Sequence, residues 1–397
     1  MVFASWLSLS VESCIHLLCS FDPVEAASPP ISAPTPTRER SAVSRRALRI
    51  LGFLFVTDLG RFILKRLGFL IPQLLIVVIG TFFLLRWLPV DPTSRVVGFV
   101  ATEAARAQAR ATLGIVVSQG TQLWRYLKGL ILNFDFGVSW NTQDAVWNEI
   151  AQRFPVTIQL TVMAFFLSLL IAIPVGRAAA AKPGKLPDKL TLGYSLFAGA
   201  QPDFWWGLMF VYVLFFLLKW FPAPLGQLSP DVSPPDVHTR FTLIDALIAG
   251  NWTAFGDNLW HYCLPVFTLA FVLTGPLIKM TRQSVLSVVN SDYILYAKAA
   301  GYHAKTIRWY MLRNSLSPVI TLSGILFGFM LGGAVLIETV FSLDGLGVYA
   351  LARTLATDFP AIQGAVLVMT AFSLLIYLLM DIVYAVLDPR VRYGGTR

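Results

Sequence analysis

The residue types that do chemistry in enzymes are present in this chain, but their spacing removes most of what they usually do. Four histidines (His16, His238, His261 and His303) are scattered, and no His-Glu-x-x-His run sets two imidazoles on one helical face for a metal. Cys14, Cys19 and Cys263 have neither zinc-ligand spacing nor a disulfide framework. Gly184-Lys185 looks like the end of a phosphate loop, but that loop needs glycine at 179 and Ser or Thr at 186, where the chain has Ala179 and Leu186. No serine sits in a Gly-x-Ser-x-Gly elbow. Energy from ATP, if used, must come from another polypeptide. What remains is acids inside apolar stretches: Asp203 near Trp206, Glu338 and Asp381. Charge is costly in a membrane and often functional there, so these residues are candidates for lining a pathway or holding a gate. They equally suit ion pairs or helix caps at subunit contacts.

The elements that position these residues follow from composition. Of 397 residues, 56% are apolar and 13% charged. A soluble domain carries about 25% charge, so this chain cannot cover a water-soluble globule of its size. The same composition excludes overall disorder. Six apolar stretches approach the roughly 20 helical residues that cross a bilayer, near 67–88, 156–176, 192–218, 264–278, 319–341 and 362–387. The expected fold is an all-α membrane protein. The third stretch contains Pro202 and Asp203, so its half from Phe204 to Leu218 is the surer span. The fourth is short and holds Pro265, Gly275 and Pro276, which places it in a protein-lined interior where neighbours satisfy freed backbone groups. Arg86 reads as snorkelling to an interface. Phe204-Trp205-Trp206 with Trp220 fits an interfacial aromatic belt, with a pathway role as the alternative.

The net charge of +9 distributes by topology. Eight Lys or Arg precede the first span, four lie between the second and third, six between the fourth and fifth, and three follow the sixth. The alternate connections hold six, two and one. This bias sets both termini in the cytoplasm and needs no nucleic acid to explain it. The outer connections, Pro89–Pro155 and Lys219–Tyr262, are expected to form a small extracytoplasmic cap. Residues 1–58 read differently: an apolar start whose first cation is Arg38, then Pro29, Pro30, Pro34 and Pro36 within a linker-like run. They are expected to be a disordered extension or a start-site artefact. Met1 is the only methionine before Met163, so a later start would use a non-AUG codon, with Val56 the candidate.

The connection 279–318 is the most informative. It reads Lys279-Met-Thr-Arg-Gln-Ser, then Ser291-Asp-Tyr-Ile-Leu-Tyr-Ala-Lys-Ala-Ala-Gly301, then Leu312-Arg-Asn-Ser-Leu-Ser-Pro318. These residues predict two short helices meeting at Gly301 on the membrane surface, with Pro318 in the first turn of the next span. This segment resembles the cytoplasmic "EAA" loop of ATP-binding-cassette (ABC) importer permeases. The resemblance runs from about Leu59 to Arg392 and is to the first permease subunit of the dipeptide/oligopeptide/nickel branch. It is carried by Arg61-Phe-Ile-Leu-Lys-Arg-Leu67 with Ile71-Pro72, Leu88-Pro-Val-Asp-Pro92, Phe136-Gly-Val-Ser139 and Pro202-Asp-Phe-Trp-Trp-Gly207. Ile337-Glu-Thr-Val-Phe-Ser342, Gly345-Leu-Gly347 and Asp388-Pro-Arg-Val-Arg392 complete it. The chain departs at Leu295, the namesake glutamate position, at Val90 in place of glycine, and at Leu343-Asp344 in place of Trp-Pro.

The resemblance implies a type I ABC importer permease fold over 59–397, in the bacterial cytoplasmic (inner) membrane. It also implies partners: a second homologous permease, two ABC ATPases carrying the ATP and magnesium, and an extracytoplasmic substrate-binding protein. This chain would hold no cofactor or metal and catalyse nothing. The ATPase-coupling residues would be Ala297, Lys298, Ala299, Ala300, Gly301, Tyr302, Lys305, Arg308, Arg313, Asn314 and Pro318, with a lever over roughly Ala297–Tyr310 bent at Gly301. Short peptides are the leading substrate class, and nickel complexes or glutathione-like thiols the alternatives. A stand-alone secondary transporter would want an internal repeat or a self-contained ion site, and neither is present in the sequence.

Overall fold

Helix is the default answer for a backbone that must satisfy its own hydrogen bonds in hydrocarbon, and the computed structural model is helical throughout its long apolar segments. It describes residues 58–88, 93, 102–112 and 116–387. The extension expected before residue 58, and the motif segments 89–92 and 388–392, lie outside the described residues.

Among the described residues, five helices are long and apolar enough to cross a membrane: α1 (Asp58–Trp87), α4 (Val146–Ala181), α8 (Trp252–Val289), α10 (Ala304–Val340) and α12 (Phe359–Leu387). The sixth span is broken. Helix α5 (Leu186–Ala198) and the segment Asp203–Leu217 meet at 100°. That segment starts as α6 (Asp203–Phe210) and continues as a π-helical stretch, Val211–Leu217. The continuous span expected over 192–218 is therefore corrected. Pro202 cannot donate a backbone hydrogen bond and restricts the residue before it, so the helix stops and restarts there. Outside the spans lie α2 (Glu103–Thr112), α3 (Gln119–Asn133), α7 (Thr242–Ile248), α9 (Asp292–Ala299) and α11 (Leu346–Leu355).

Helices α4, α8 and α10 have 36, 38 and 37 residues. At 1.5 Å per residue each is roughly 55 Å long, far beyond the roughly 30 Å of hydrocarbon. The short fourth span expected over 264–278 is thus the middle of a much longer helix. Pro265 and Pro276 lie inside it, and the neighbouring helix supplies donors nearby. Tyr194 Oη donates to the Phe271 carbonyl at 2.6 Å and Ser195 Oγ to that of Gly275 at 3.0 Å. Pro318 likewise lies well inside α10, not in its first turn.

One large core joins α4, α8 and α10 through Leu160, Phe165, Tyr262, Leu277, Phe327 and Ile337, all buried. Helix α12 packs on α10, and α1 packs on α12 at the edge. The bundle has two ends. At one, the turn at Gly301 lies with the last turn of α8 and the start of α5. At the other, Glu338 and Phe341 lie with α11 and the start of α4. On the Glu338 side, the segment 226–262 is ordered in part by Asp245. Burial works to raise its carboxyl, but donors at Thr239, His238 and Arg240 outweigh that and hold it below the usual carboxylate range.

Helices α4 and α8 approach closely at Gly176. A Cβ there would lie 2.6 Å from Thr281 Cβ and 2.9 Å from the Ile278 carbonyl oxygen. Gly176→Val is expected to cost about 1–3 kcal/mol through overpacking, read as a lower melting temperature of the detergent-solubilised protein. Gly193→Val, with nothing within 4 Å of the same atom, should melt like the parent. Equal melting of the two variants would refute the packing argument.

Candidate functional site

At the Gly301 end, the expected surface element is a single short helix held between two long ones. Helix α8 runs on to Val289 and α10 begins at Ala304, so most of 279–318 is continuous with the spans. The second short helix expected after Gly301 is the first turns of α10. Only α9 stands apart, and its last turn explains the glycine. Tyr302 N donates to Ala297 O at 3.0 Å and Gly301 N to Lys298 O at 3.1 Å. Gly301 has φ +75°. This is the paired bonding that closes a helix on a left-handed residue, a conformation glycine adopts without a Cβ penalty.

Helix α9 is pinned on one side only. Ile294 and Ala297 are buried against Ile307, Val288 and Met311. Asn314 Nδ2 donates to Tyr293 Oη at 3.2 Å. Its other face, with Leu295, Tyr296 and Lys298, is exposed, as are Ala299, Ala300, Gly301 and Tyr302. His303 caps α10 by accepting from Lys305 N at 3.3 Å, and Arg308 Nε donates back to Ala304 O at 3.3 Å. Arg313 Nε donates to Leu387 O at 2.9 Å, closing the end of α12 with a cation. Behind α9, Arg282 grips the buried carboxylate of Asp188, with Nη2 to Oδ2 at 2.7 Å, and thereby ties α5 to α8. Of the coupling candidates, Lys298, Ala299, Ala300, Gly301, Tyr302, Lys305, Arg308 and Asn314 are exposed at this end, whereas Ala297 is buried and Arg313 half-buried. Pro318 is the outlier, 14 residues into α10.

The intramembrane acids do not form one site. Asp203 is the first residue of α6, half-buried against Gly333. Asp381 pairs with Arg66 at 3.2 Å, towards the Gly301 end. The pair lines a groove of about 410 Å³ between α1, α10 and α12, together with Phe69, Gln73, Thr321 and Tyr377. Trp206 is buried; its Nε1 donates to Ala198 O at 3.1 Å across the broken span. The rings of Phe197, Trp205, Phe210 and Phe271 surround it at centroid distances of 4.8–5.7 Å. Its contacts brace the bend.

Glu338 is fully buried (0% exposed) and organises the opposite end. Thr157 Oγ1 donates to Glu338 Oε1 at 2.5 Å and accepts from Leu346 N at 2.8 Å. Val348 N donates to Glu338 Oε2 at 3.0 Å. A Cβ on Gly347 would lie 2.8 Å from Oε2, and one on Gly345 would strike the carboxyl, so Gly345-Leu-Gly347 makes room for it. Two further acids, unremarked in the sequence, extend this fastening. Glu149 accepts from Tyr349 Oη at 2.7 Å and Arg353 Nη2 at 2.9 Å. Asp358 accepts from Ser139 Oγ at 2.5 Å and Trp140 N at 3.1 Å. Together they hold α11 and the turn before α4 across the bundle. The sequence signal for Asp358 is weak: an acid three residues before Ala361, whose N–H reaches it at 3.4 Å at the start of α12. Nothing local marks Thr157 or Glu149, whose partners lie 181–204 residues away.

Residues 59–161 match the family described as binding-protein-dependent transport system membrane component, N-terminal, and residues 172–393 match the binding-protein-dependent transport system inner membrane component family. The dipeptide transport system permease protein DppB of Escherichia coli K12 is 35% identical over 338 residues, 84% of this chain and 99% of that protein. The di/tripeptide transport system permease protein DppB of Pseudomonas aeruginosa is 33% identical, covering 84% and 98%. The glutathione transport system permease protein GsiC of Salmonella paratyphi A is 32% identical, covering 84% and 99%.

Thr157→Val removes a donor to Glu338 and an acceptor for Leu346 N, and is expected to cost about 1–3 kcal/mol. Amide hydrogen exchange over residues 345–349 should then accelerate. Thr354→Val, whose hydroxyl bonds only within α11 (to Ala350 O, 2.7 Å), serves as the control and should leave that exchange unchanged. Unaltered protection in Thr157→Val would refute the fastening.

Proposed function

Since the chain belongs to the binding-protein-dependent transport system inner membrane component family, we propose that it is the permease subunit of an ATP-driven importer of short peptides. It forms half of the translocation pathway beside a second homologous permease. Two ABC ATPases carry the ATP and magnesium, and an extracytoplasmic binding protein delivers the substrate. The chain is a multi-pass inner membrane protein. The Lys and Arg bias supports both termini in the cytoplasm, with the Gly301 end inside and the Glu338 end outside.

The observation that carries the coupling proposal is α9, packed against the protein on one face and exposed on the other, in a loop with no slack. It is joined directly to α8 and α10. An ATPase gripping Leu295, Tyr296 and Tyr302 would therefore move two spans at once. Helix α10 is unbroken from Ala304 to Val340, so a displacement at its start reaches Glu338 and, through Val348, the helix α11 that Glu338 holds. That is a two-ended element of the kind coupling requires. Asp203, on the segment crossing Gly333, is the acid we assign to the pathway. The DppB relatives support peptide as substrate. The GsiC relative supports a glutathione-type thiol peptide as the second reading.

Purified with its neighbouring subunits and reconstituted in vesicles, the protein is expected to take up a labelled dipeptide only with ATP inside the ATPase-facing compartment and the binding protein on the other side. ATP-independent uptake would refute the proposal, and uptake of glutathione in preference to dipeptide would select the second reading.

A Cβ at Gly301 meets nothing within 4 Å, so a bulky side chain there has room within this chain. Gly301→Trp should leave insertion intact and uncouple ATP hydrolysis from uptake, lowering uptake at least ~10-fold. Gly301→Asn, which tolerates the left-handed backbone, should retain most of it. Normal uptake by a well-expressed Gly301→Trp transporter would sink the coupling role.

A further inference from the structure

Helix α3 (Gln119–Asn133) is sided in three ways. Leu123, Tyr126 and Leu130, spaced i, i+3, i+7, are half-buried against the protein. The adjacent stripe has the same spacing and carries the exposed Trp124 (68%) and Ile131 (66%), with Leu127 half-buried between them. The next side carries the exposed cations Arg125 and Lys128, with the exposed Leu132 between them. Just beyond the helix, Phe134 (72% exposed) extends the outward stripe, and its ring meets that of Trp147 at 6.2 Å.

The position of α3 says what covers this stripe. Arg86 Nε, in the last turn of α1, donates to Gln122 Oε1 at 3.0 Å. The Arg86 guanidinium also lies 6.0 Å from the ring of Phe359, the first residue of α12. Leu130 packs against the cluster of Val146, Ile150, Ala361 and Ala365, from the first turns of α4 and α12. Both halves of α3 therefore rest on span ends at one level, and the helix lies across those ends. Burial raises the Tyr126 phenol to about 12 beside Arg86. Arg86 and Arg66 are 20 residues apart on α1, about 30 Å, which is the hydrocarbon thickness. The exposed apolar face of α1, ending in Leu84 and Trp87, brings the bilayer up to this level. The outward stripe of α3 continues that apolar surface.

We propose that α3 is an interfacial anchor. Its Trp124–Leu127–Ile131 stripe, with Phe134 and Trp147, is seated in the boundary between headgroups and acyl chains, and Arg125 and Lys128 bind phospholipid phosphates. An amphipathic helix with aromatic residues on one side and cations on the other takes this position. This assigns one face of the cap to lipid and leaves the binding protein the remaining surface. The lipid contact itself needs only that the spans cross a membrane; the assembled transporter used in the test rests on the transport reading.

The test uses the assembled transporter in phosphatidylethanolamine–phosphatidylglycerol bilayers, with Cys14, Cys19 and Cys263 replaced by serine. Spin labels are placed singly on Trp124→Cys, Ile131→Cys and Lys128→Cys. Labels at 124 and 131 should collide several-fold more with oxygen than with a water-soluble nickel chelate, and the label at 128 should show the reverse. Preferential nickel access at 124 and 131 would overturn the proposal. So would exclusion of both reagents, which would mean that a protein partner covers the stripe. Position 131 alone carries the same test if replacing Trp124 lowers the yield of folded protein.

Discussion

In hydrocarbon, water cannot satisfy a backbone amide or a carboxylate, so every polar group must find its partner within the protein. The broken span shows the backbone side of this constraint. Where α5 stops at Ala198, the indole of Trp206 takes its carbonyl, and α5 hydroxyls take carbonyls of α8 beside Pro276. The acids show the side-chain side. Glu338, Glu149, Asp188 and Asp358 are buried, and each is met by hydroxyl, amide or guanidinium donors from a distant segment.

These partnerships give the molecule two fastened ends and a stiff middle. At the Gly301 end, Asp188–Arg282 and Arg313–Leu387 O hold α5, α8, α10 and α12 in fixed relation. At the other end, Glu338 and Glu149 hold α11 on α4 and α10. Between them the core is apolar and closely packed. Helices joined in this way shift as bodies, since packed interiors do not deform continuously. Helix α9 is joined to the ends of α8 and α10 by short links, with no slack loop between them. Glycines serve different needs at separate places: close helix approach at Gly176, a left-handed turn at Gly301, and space for a carboxylate at Gly345 with Gly347.

Much of the fold was legible because hydrocarbon imposes a length and a composition. The span count, the positive bias of alternate connections and the loop with Gly301 all follow from local runs of residues. Boundaries were less legible. Helices α8 and α10 continue far past their apolar centres because contacts sustain them there: Thr281 bonds back to Leu277 O, Arg282 pairs with Asp188 and Asn314 reaches Tyr293, and such contacts override weak intrinsic propensity. Proline misled in both directions. Pro202 ends a helix whereas Pro265, Pro276 and Pro318 lie within one.

By itself, the sequence determined that the chain crosses a membrane about six times, which connections carry the positive charge, and that a glycine-closed helical turn lies between the fourth and fifth spans. Those properties arise from hydropathy, charge and backbone conformation, which act within a few residues. Only the tertiary structure decided that Glu338 fastens α11, that Thr157, Glu149 and Asp358 share that work, and that α3 lies across the span ends. A carboxylate's role depends on which donors reach it in space, and here those donors come from segments up to 219 residues away.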